Sequence, residues 1–144
     1  MSLGTLRFVG QLKGIVPTII RTSAGAGVAN HEHHSSVTEP IESVVKFLVD
    51  LLGTKLTAHM VSVDASSISR WKSGKVTPPL EAERKLRGAH QVARLLLASD
   101  ADHTVRAWFI GMNPQLDDES PADVIAEGNT KAVMAAARSF IASA

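Results

Sequence analysis

Leu56-Thr-Ala-His-Met-Val-Ser-Val-Asp-Ala-Ser-Ser-Ile-Ser-Arg-Trp-Lys-Ser-Gly74 reads as two short helices joined by a tight turn. Ala58 falls where the two helices approach most closely, a place that needs a small side chain. Ile68 locks the second helix onto the first, and Val63 plugs the turn from below. Asp64 is suited to cap the second helix, because its carboxylate accepts from amide protons left free at a helix start. Ser62 stands where glycine commonly occupies such a turn. A left-handed non-glycine residue there costs about 1 kcal/mol, which a fold absorbs. The pattern predicts a helix-turn-helix; the plainer alternative is a helical hairpin with a surface arginine.

In a helix-turn-helix the second helix enters the major groove with its N-terminal residues against the base edges. Here that end carries Ala65, Ser66, Ser67 and Ser69, small or hydroxylated residues that allow close approach. Arg70, Lys72 and Lys75 follow and are expected to hold phosphates. The expected DNA-binding set is therefore Ser66, Ser67, Ser69, Arg70, Lys72 and Lys75.

The chain has 144 residues, enough for one domain or two very small ones. It is 44% apolar without a long apolar run, so a soluble chain that spans no membrane is expected. Arg7, Lys13 and several glycines interrupt the start, so no signal peptide is expected. Cysteine is absent, which excludes disulfides and thiol catalysis and fits a cytoplasmic location. The net charge of +1 is unevenly spread. Between Ser69 and Arg94, seven basic residues stand against Glu81 and Glu83; between Asp100 and Glu127, seven acidic residues stand against Arg106. Such runs are commonly solvated faces. Two adjacent runs of opposite sign, one on a helix-turn-helix, suggest two partners of opposite charge.

Outside the motif the pattern is helical from Pro40 onward, and the predicted fold class is all-α. Ile41, Val44, Val45, Leu48, Leu51 and Leu52 repeat at helical spacing, and Gly53 ends that helix. Thr77-Pro78-Pro79 breaks the chain, and a longer helix runs from Leu80 to about Ala98, burying Leu86, Ala89, Val92, Ala93, Leu96 and Leu97. Asp102 or Thr104 is expected to cap the next helix, which Gly111-Met-Asn-Pro114 stops. Ser120-Pro121-Ala122-Asp123 starts a short helix ending near Gly128. Asn129 or Thr130 caps a last helix that buries Val133, Ala136, Ala137, Phe140 and Ile141. With the sequence ending at Ala144, almost no tail is expected beyond it. Residues 1–40 are expected to form an irregular, partly flexible arm with one short helix or strand. Thr22 to Asn30 has linker composition, and Gly25-Ala26-Gly27 lacks the context of a phosphate loop. His31-Glu32-His33-His34 lies in that setting and is read as an exposed loop, not a metal site.

No paired carboxylates, nucleophile–base arrangement or phosphate loop stands out, so no catalytic residue, metal or cofactor is expected. His59 and His90 lie within helical segments and read as packed or surface residues. Three divisions follow: an arm over 1–40, a helix-turn-helix domain over 41–100, and a small helical domain over 101–144.

The last division carries a sharper signal. Trp108-Phe-Ile-Gly-Met-Asn113-Pro114-Gln-Leu116, then Ser120-Pro121-Ala-Asp-Val124-Ile125, then Gly128, resembles the toxin-binding domain of Xre/MbcA/ParS-type antitoxins. In that family a Trp is followed by an Asn-Pro-x-Leu turn, a Ser-Pro helix and a final amphipathic helix. The helix-turn-helix resembles the family's other half, so the likeness covers residues 41–144. Asp117-Asp118-Glu119 stands where the family often has Gly after the Leu. Each matched residue also has a structural reading: Trp108 fills a core between helices, Asn113-Pro114 shapes a turn, and Leu116 tucks it down.

The resemblance implies an antitoxin and autorepressor. Its partner would be a RES-like toxin that consumes NAD, covered at its active site by the C-terminal domain through Trp108, Asn113, Asp117, Asp118 and Glu119. An acidic surface suits a cleft evolved for a pyrophosphate, which tends to be basic. The helix-turn-helix would bind operator DNA as a homodimer, since pairing doubles the few base pairs one helix reads. The alternatives are a stand-alone transcription regulator without a toxin, and an interaction module whose helix-turn-helix no longer binds DNA.

Overall fold

Five apolar residues at helical spacing build the first helix of the computed structural model, which describes residues 39–144. That helix, α1, spans Ile41–Leu52 and buries Val44, Val45, Leu48, Leu51 and Leu52. Gly53, at φ 93°, ends it in a conformation open to glycine and unfavourable to other residues. Thr54–Val61 (α2) and Ala65–Lys72 (α3) follow at once, then Leu80–Leu97 (α4), Asp102–Ile110 (α5), Pro121–Ala126 (α6) and Thr130–Ser143 (α7). A single 3₁₀ turn, Pro114–Leu116, lies between α5 and α6. No strand occurs among the described residues. The fold is all-α. The expectations for residues 1–38, including the Gly25–Gly27 and His31–His34 readings, lie outside the described residues.

The two helices of the motif are joined as the sequence predicts. Ser62 takes the left-handed conformation (φ 59°, ψ 43°), and Val63 N–H donates back to the Ala58 carbonyl at 3.1 Å. Asp64 Oδ1 accepts from Ser67 N–H at 2.9 Å and caps α3. Ala58 and Ile68 are buried between the helices. Thr57 is the buried polar residue of α2, and its hydroxyl donates to the Gly53 carbonyl.

Pro40–Ala144 form one compact unit with a continuous core. α1 packs on α4, α2 on α6, and α4 on α7, so the segment after residue 100 covers helices of the segment before it. Side chains tie these layers at helix ends, where carbonyls lack partners within their own helix. Arg106 Nε donates to Leu51 O at the end of α1 (3.0 Å), and Lys85 Nζ donates to Ala126 O at the end of α6 (2.8 Å). Gly88 lets α7 approach α4: a Cβ there would stand 2.3 Å from Thr130 Cγ2.

Three expectations need correction. Neither Asp102 nor Thr104 caps α5; the cap position is Ala101 without a side-chain bond, and Asp102 is the first helical residue. Its carboxylate there still opposes the positive end of the helix dipole. Trp108 does not fill the core: Phe109 is fully buried, and Trp108 is half-buried beside it. A helical stripe admits one of two adjacent positions to its centre, and the smaller ring takes it. Leu97 of α4 and Phe140 and Ile141 of α7 are likewise only partly buried, while Val133, Ala136 and Ala137 are enclosed.

Candidate functional site

The exposed face of α3 carries Ser66, Ser69, Arg70 and Lys72, with Lys75 just beyond; Ser67 is half-buried. The opposite face holds Ile68 and Trp71 in the core, which fixes the helix's rotation. Two of the serines also serve the helix start. Ser66 Oγ donates to Asp64 Oδ1 (3.0 Å), and Ser67 Oγ accepts from Arg70 Nη2 (3.4 Å). The Ser67 backbone N–H, then the Ser67 and Ser66 side chains, hold the Asp64 carboxyl below its ordinary value of 3.8. Arg70, Lys72 and Lys75 place three cations at the C-terminal end of this face, where they complement the helix dipole and are open to an anionic surface.

The second candidate surface is built by the turn between α5 and α6. Asn113 organises it. Its Oδ1 accepts from Gln115 N–H (2.8 Å), and its carbonyl accepts from Leu116 and Asp118 N–H (both 2.9 Å). Asp117 and Asp118 both adopt positive φ, 57° and 67°. Asp117 therefore takes at backbone cost a conformation that glycine would adopt freely, and Asp tolerates it better than most residues. Leu116 is buried beneath the turn.

Trp108 and Asn113 meet in a groove of about 350 Å³, together with Met112, Gln115, Ser139 and Phe140. Trp108 stacks edge-on against Phe109 and lies tilted to Phe140. Met112 is 81% exposed and Ile110 56%, a large apolar display for a small unit. Asp117, Asp118 and Glu119 do not line this groove; they stand exposed on the following turn. Glu119 shares a carboxylate cluster. The charge of Glu127, with some burial and further repulsion from Asp123 and Asp117, raises its carboxyl above the ordinary 4.5. Asp123 is held low, chiefly by the hydrogen bond from His59 and then by Ser120. His59 Nε2 donates to Asp123 Oδ1 at 2.6 Å, tying α2 to α6 across the surface.

No family model matches the chain, and no curated protein matches it. The fold is shared with a solved structure. It resembles a chain of the M. tuberculosis MbcT–MbcA toxin–antitoxin complex, with a TM-score of 0.61 and 23% sequence identity. The likeness covers 71% of this chain and 94% of the other.

Sequence reading missed several residues of these surfaces. Met112 and Gln115 enter the groove because the 3₁₀ turn folds back on α7, a long-range contact that leaves no periodic trace. The His59–Asp123 pair is separated by 64 positions and joins elements with no shared pattern. Among the described residues, no group of three or more His, Cys, Asp or Glu side chains is placed to hold a metal ion. None of their helices is long and apolar enough to cross a membrane.

Proposed function

We propose that the chain is the antitoxin of a toxin–antitoxin pair. α3 docks operator DNA, with Ser66, Ser67 and Ser69 at the bases and Arg70, Lys72 and Lys75 on phosphates. The surface around Trp108, Asn113, Asp117, Asp118 and Glu119 covers the active site of a RES-like toxin that consumes NAD. The observation that carries this reading is the likeness of fold to nearly the whole of one chain from a toxin–antitoxin complex. Two further features support it. One compact unit presents a hydroxyl-and-cation helix face and, separately, an apolar groove beside crowded carboxylates. The carboxylates suit a basic, phosphate-binding cleft. Pairing of two copies on a two-fold operator gives the autorepressor, in which each α3 reads one half-site.

The test is co-expression with the product of the adjacent reading frame, with only one of the two tagged. The expected result is a stable complex, together with growth arrest when the neighbour is expressed alone. Absence of both would leave a stand-alone helix-turn-helix regulator, for which the α3 face alone provides the basis.

A further inference from the structure

We propose that the cleft between the first turns of α4 and the start of α7 is a binding site for a phosphate group. The cleft has a volume of about 310 Å³ and is lined by Glu81, Arg84, Lys85, Gly128, Thr130 and Lys131. Three cations thus face one carboxylate. The side chains of Arg84 and Lys131 make no hydrogen bond or ion pair with any described residue. Lys85 is of another kind. Its side chain is only 12% exposed, and its Nζ is fixed on the Ala126 carbonyl, 4.0 Å from Glu81. It contributes a charge held in the wall by the fold, with donor capacity left for a ligand.

The fold builds this cleft through Gly88. With no side chain there, Thr130 seats directly on α4, one turn beyond Arg84. That places the start of the fourteen-residue α7 beside the cations. Asn129 occupies two of the first amides of α7: its side chain accepts from Ala132 N–H, and its carbonyl accepts from Val133 N–H. The amides of Thr130 and Lys131 remain and add to the cationic wall. An unpaired guanidinium, an unpaired ammonium and a fixed ammonium around free amides match the several acceptor oxygens of a phosphate. The phosphate comes either from a free polyphosphate or from a DNA backbone engaged by the same unit. This inference does not rest on the antitoxin reading.

The experiment uses the full chain with two probes. Inorganic tripolyphosphate is titrated by calorimetry at constant ionic strength, and a mixed-sequence DNA duplex is titrated over a range of salt. Variants are Arg84→Ala, Lys131→Ala, Glu81→Gln, and Arg138→Ala as a control of equal charge change on an exposed position of α7 outside the cleft. If the phosphate is free, tripolyphosphate binds saturably. Arg84→Ala and Lys131→Ala then each weaken binding about tenfold, Glu81→Gln tightens it, and Arg138→Ala leaves it unchanged. If the phosphate belongs to DNA, the log–log salt slope falls by about 0.9 for each cleft cation removed, and Arg138→Ala has no effect. The proposal is overturned if neither probe responds to Arg84→Ala and Lys131→Ala. It is overturned equally if Arg138→Ala costs as much as they do. Thermal melts of each variant confirm that these exposed substitutions leave the fold in place.

Discussion

The turn from α2 to α3 and the turn from α5 to α6 both rely on left-handed non-glycine residues, and they treat charge in opposite ways. At the first, Ser62 bends the chain, and the Asp64 carboxylate beside it is satisfied by the Ser67 amide and the Ser66 hydroxyl. At the second, Asp117 and Asp118 bend the chain while Glu119 faces Glu127, and no described cation pairs with it. The first turn is satisfied by its own residues. The second keeps a surplus of negative charge at the surface, which a positively charged partner would relieve. Backbone strain of similar kind thus serves a self-contained helix start in one place and an unbalanced surface in the other.

The largest expected effects test whether these two regions are one cooperative body. Trp71→Ala in the helix after the first turn and Phe109→Ala in the helix before the second each remove a buried ring and should cost about 3–5 kcal/mol in urea unfolding. Both should shift a single transition; two separable transitions would divide the unit between α4 and α5. Next come the exchanges that separate function. Reversing Asp117, Asp118 and Glu119 to Lys should weaken binding of the co-expressed partner by about tenfold or more at unchanged helix content, as juxtaposed like charges do. Arg70→Ala should instead reduce the DNA salt slope by about one, and leave partner binding alone. Loss of both activities in either variant would merge the two surfaces.

A smaller effect probes the caps. Ser120→Ala removes the hydroxyl that accepts from Asp123 N–H and should destabilise the unit by about 1 kcal/mol in the same urea assay. Smaller still, Ser62→Gly should stabilise by about 0.5–1 kcal/mol, because glycine adopts φ 59° without penalty. Asp117→Gly should act in the same direction, and a loss of stability in either would mean that the side chain holds its turn.

Acidity distinguishes the regions most finely. Glu119 has its folded pKa raised, so its penalty is absent below the ordinary 4.5 and complete above the raised value. Asp64 and Asp123 have theirs lowered, so their contribution is present above the ordinary 3.8 and is lost as pH falls through the folded values. Melting temperature should therefore gain slightly from Glu119 on mild acidification, then lose from the two aspartates under stronger acid. In Glu127→Gln the early gain should shrink, and a gain of full size in that variant would assign it to another group.

Local chemistry made most of the helices legible. Gly53, Asp64, Ser120 and Asn129 mark ends that the structure places where their conformations or capping oxygens require. What local chemistry did not reveal depends on how separate helices meet. Trp108 reads as core because large aromatic rings commonly are, yet Phe109 takes the enclosed position and Trp108 is left half-buried in the groove beside Phe140 of α7. The groove shows the same limit, because Trp108 and Asn113 come from the end of α5 and the turn after it, whereas Phe140 and Ser139 arrive from α7. The acidic run was legible as a charge count. The crowding of Glu119 against Glu127 depends on how the chain folds at the two ends of α6, and the bond that sets Asp123 apart depends on α2 lying beside α6.

The packing of α6 on α2 and of α7 on α4 has a consequence in time. A chain made from its N-terminus completes α1 to α4 before any of the covering helices exist. At about 5–20 residues per second, the stretch from Ala98 to Ala144 takes on the order of 2–10 s to add. For that interval the faces of α2 and α4 that later lie beneath α6 and α7 meet water. Helices α1 to α4 therefore pass through a short sticky age, which ends only when α6 and α7 close over them.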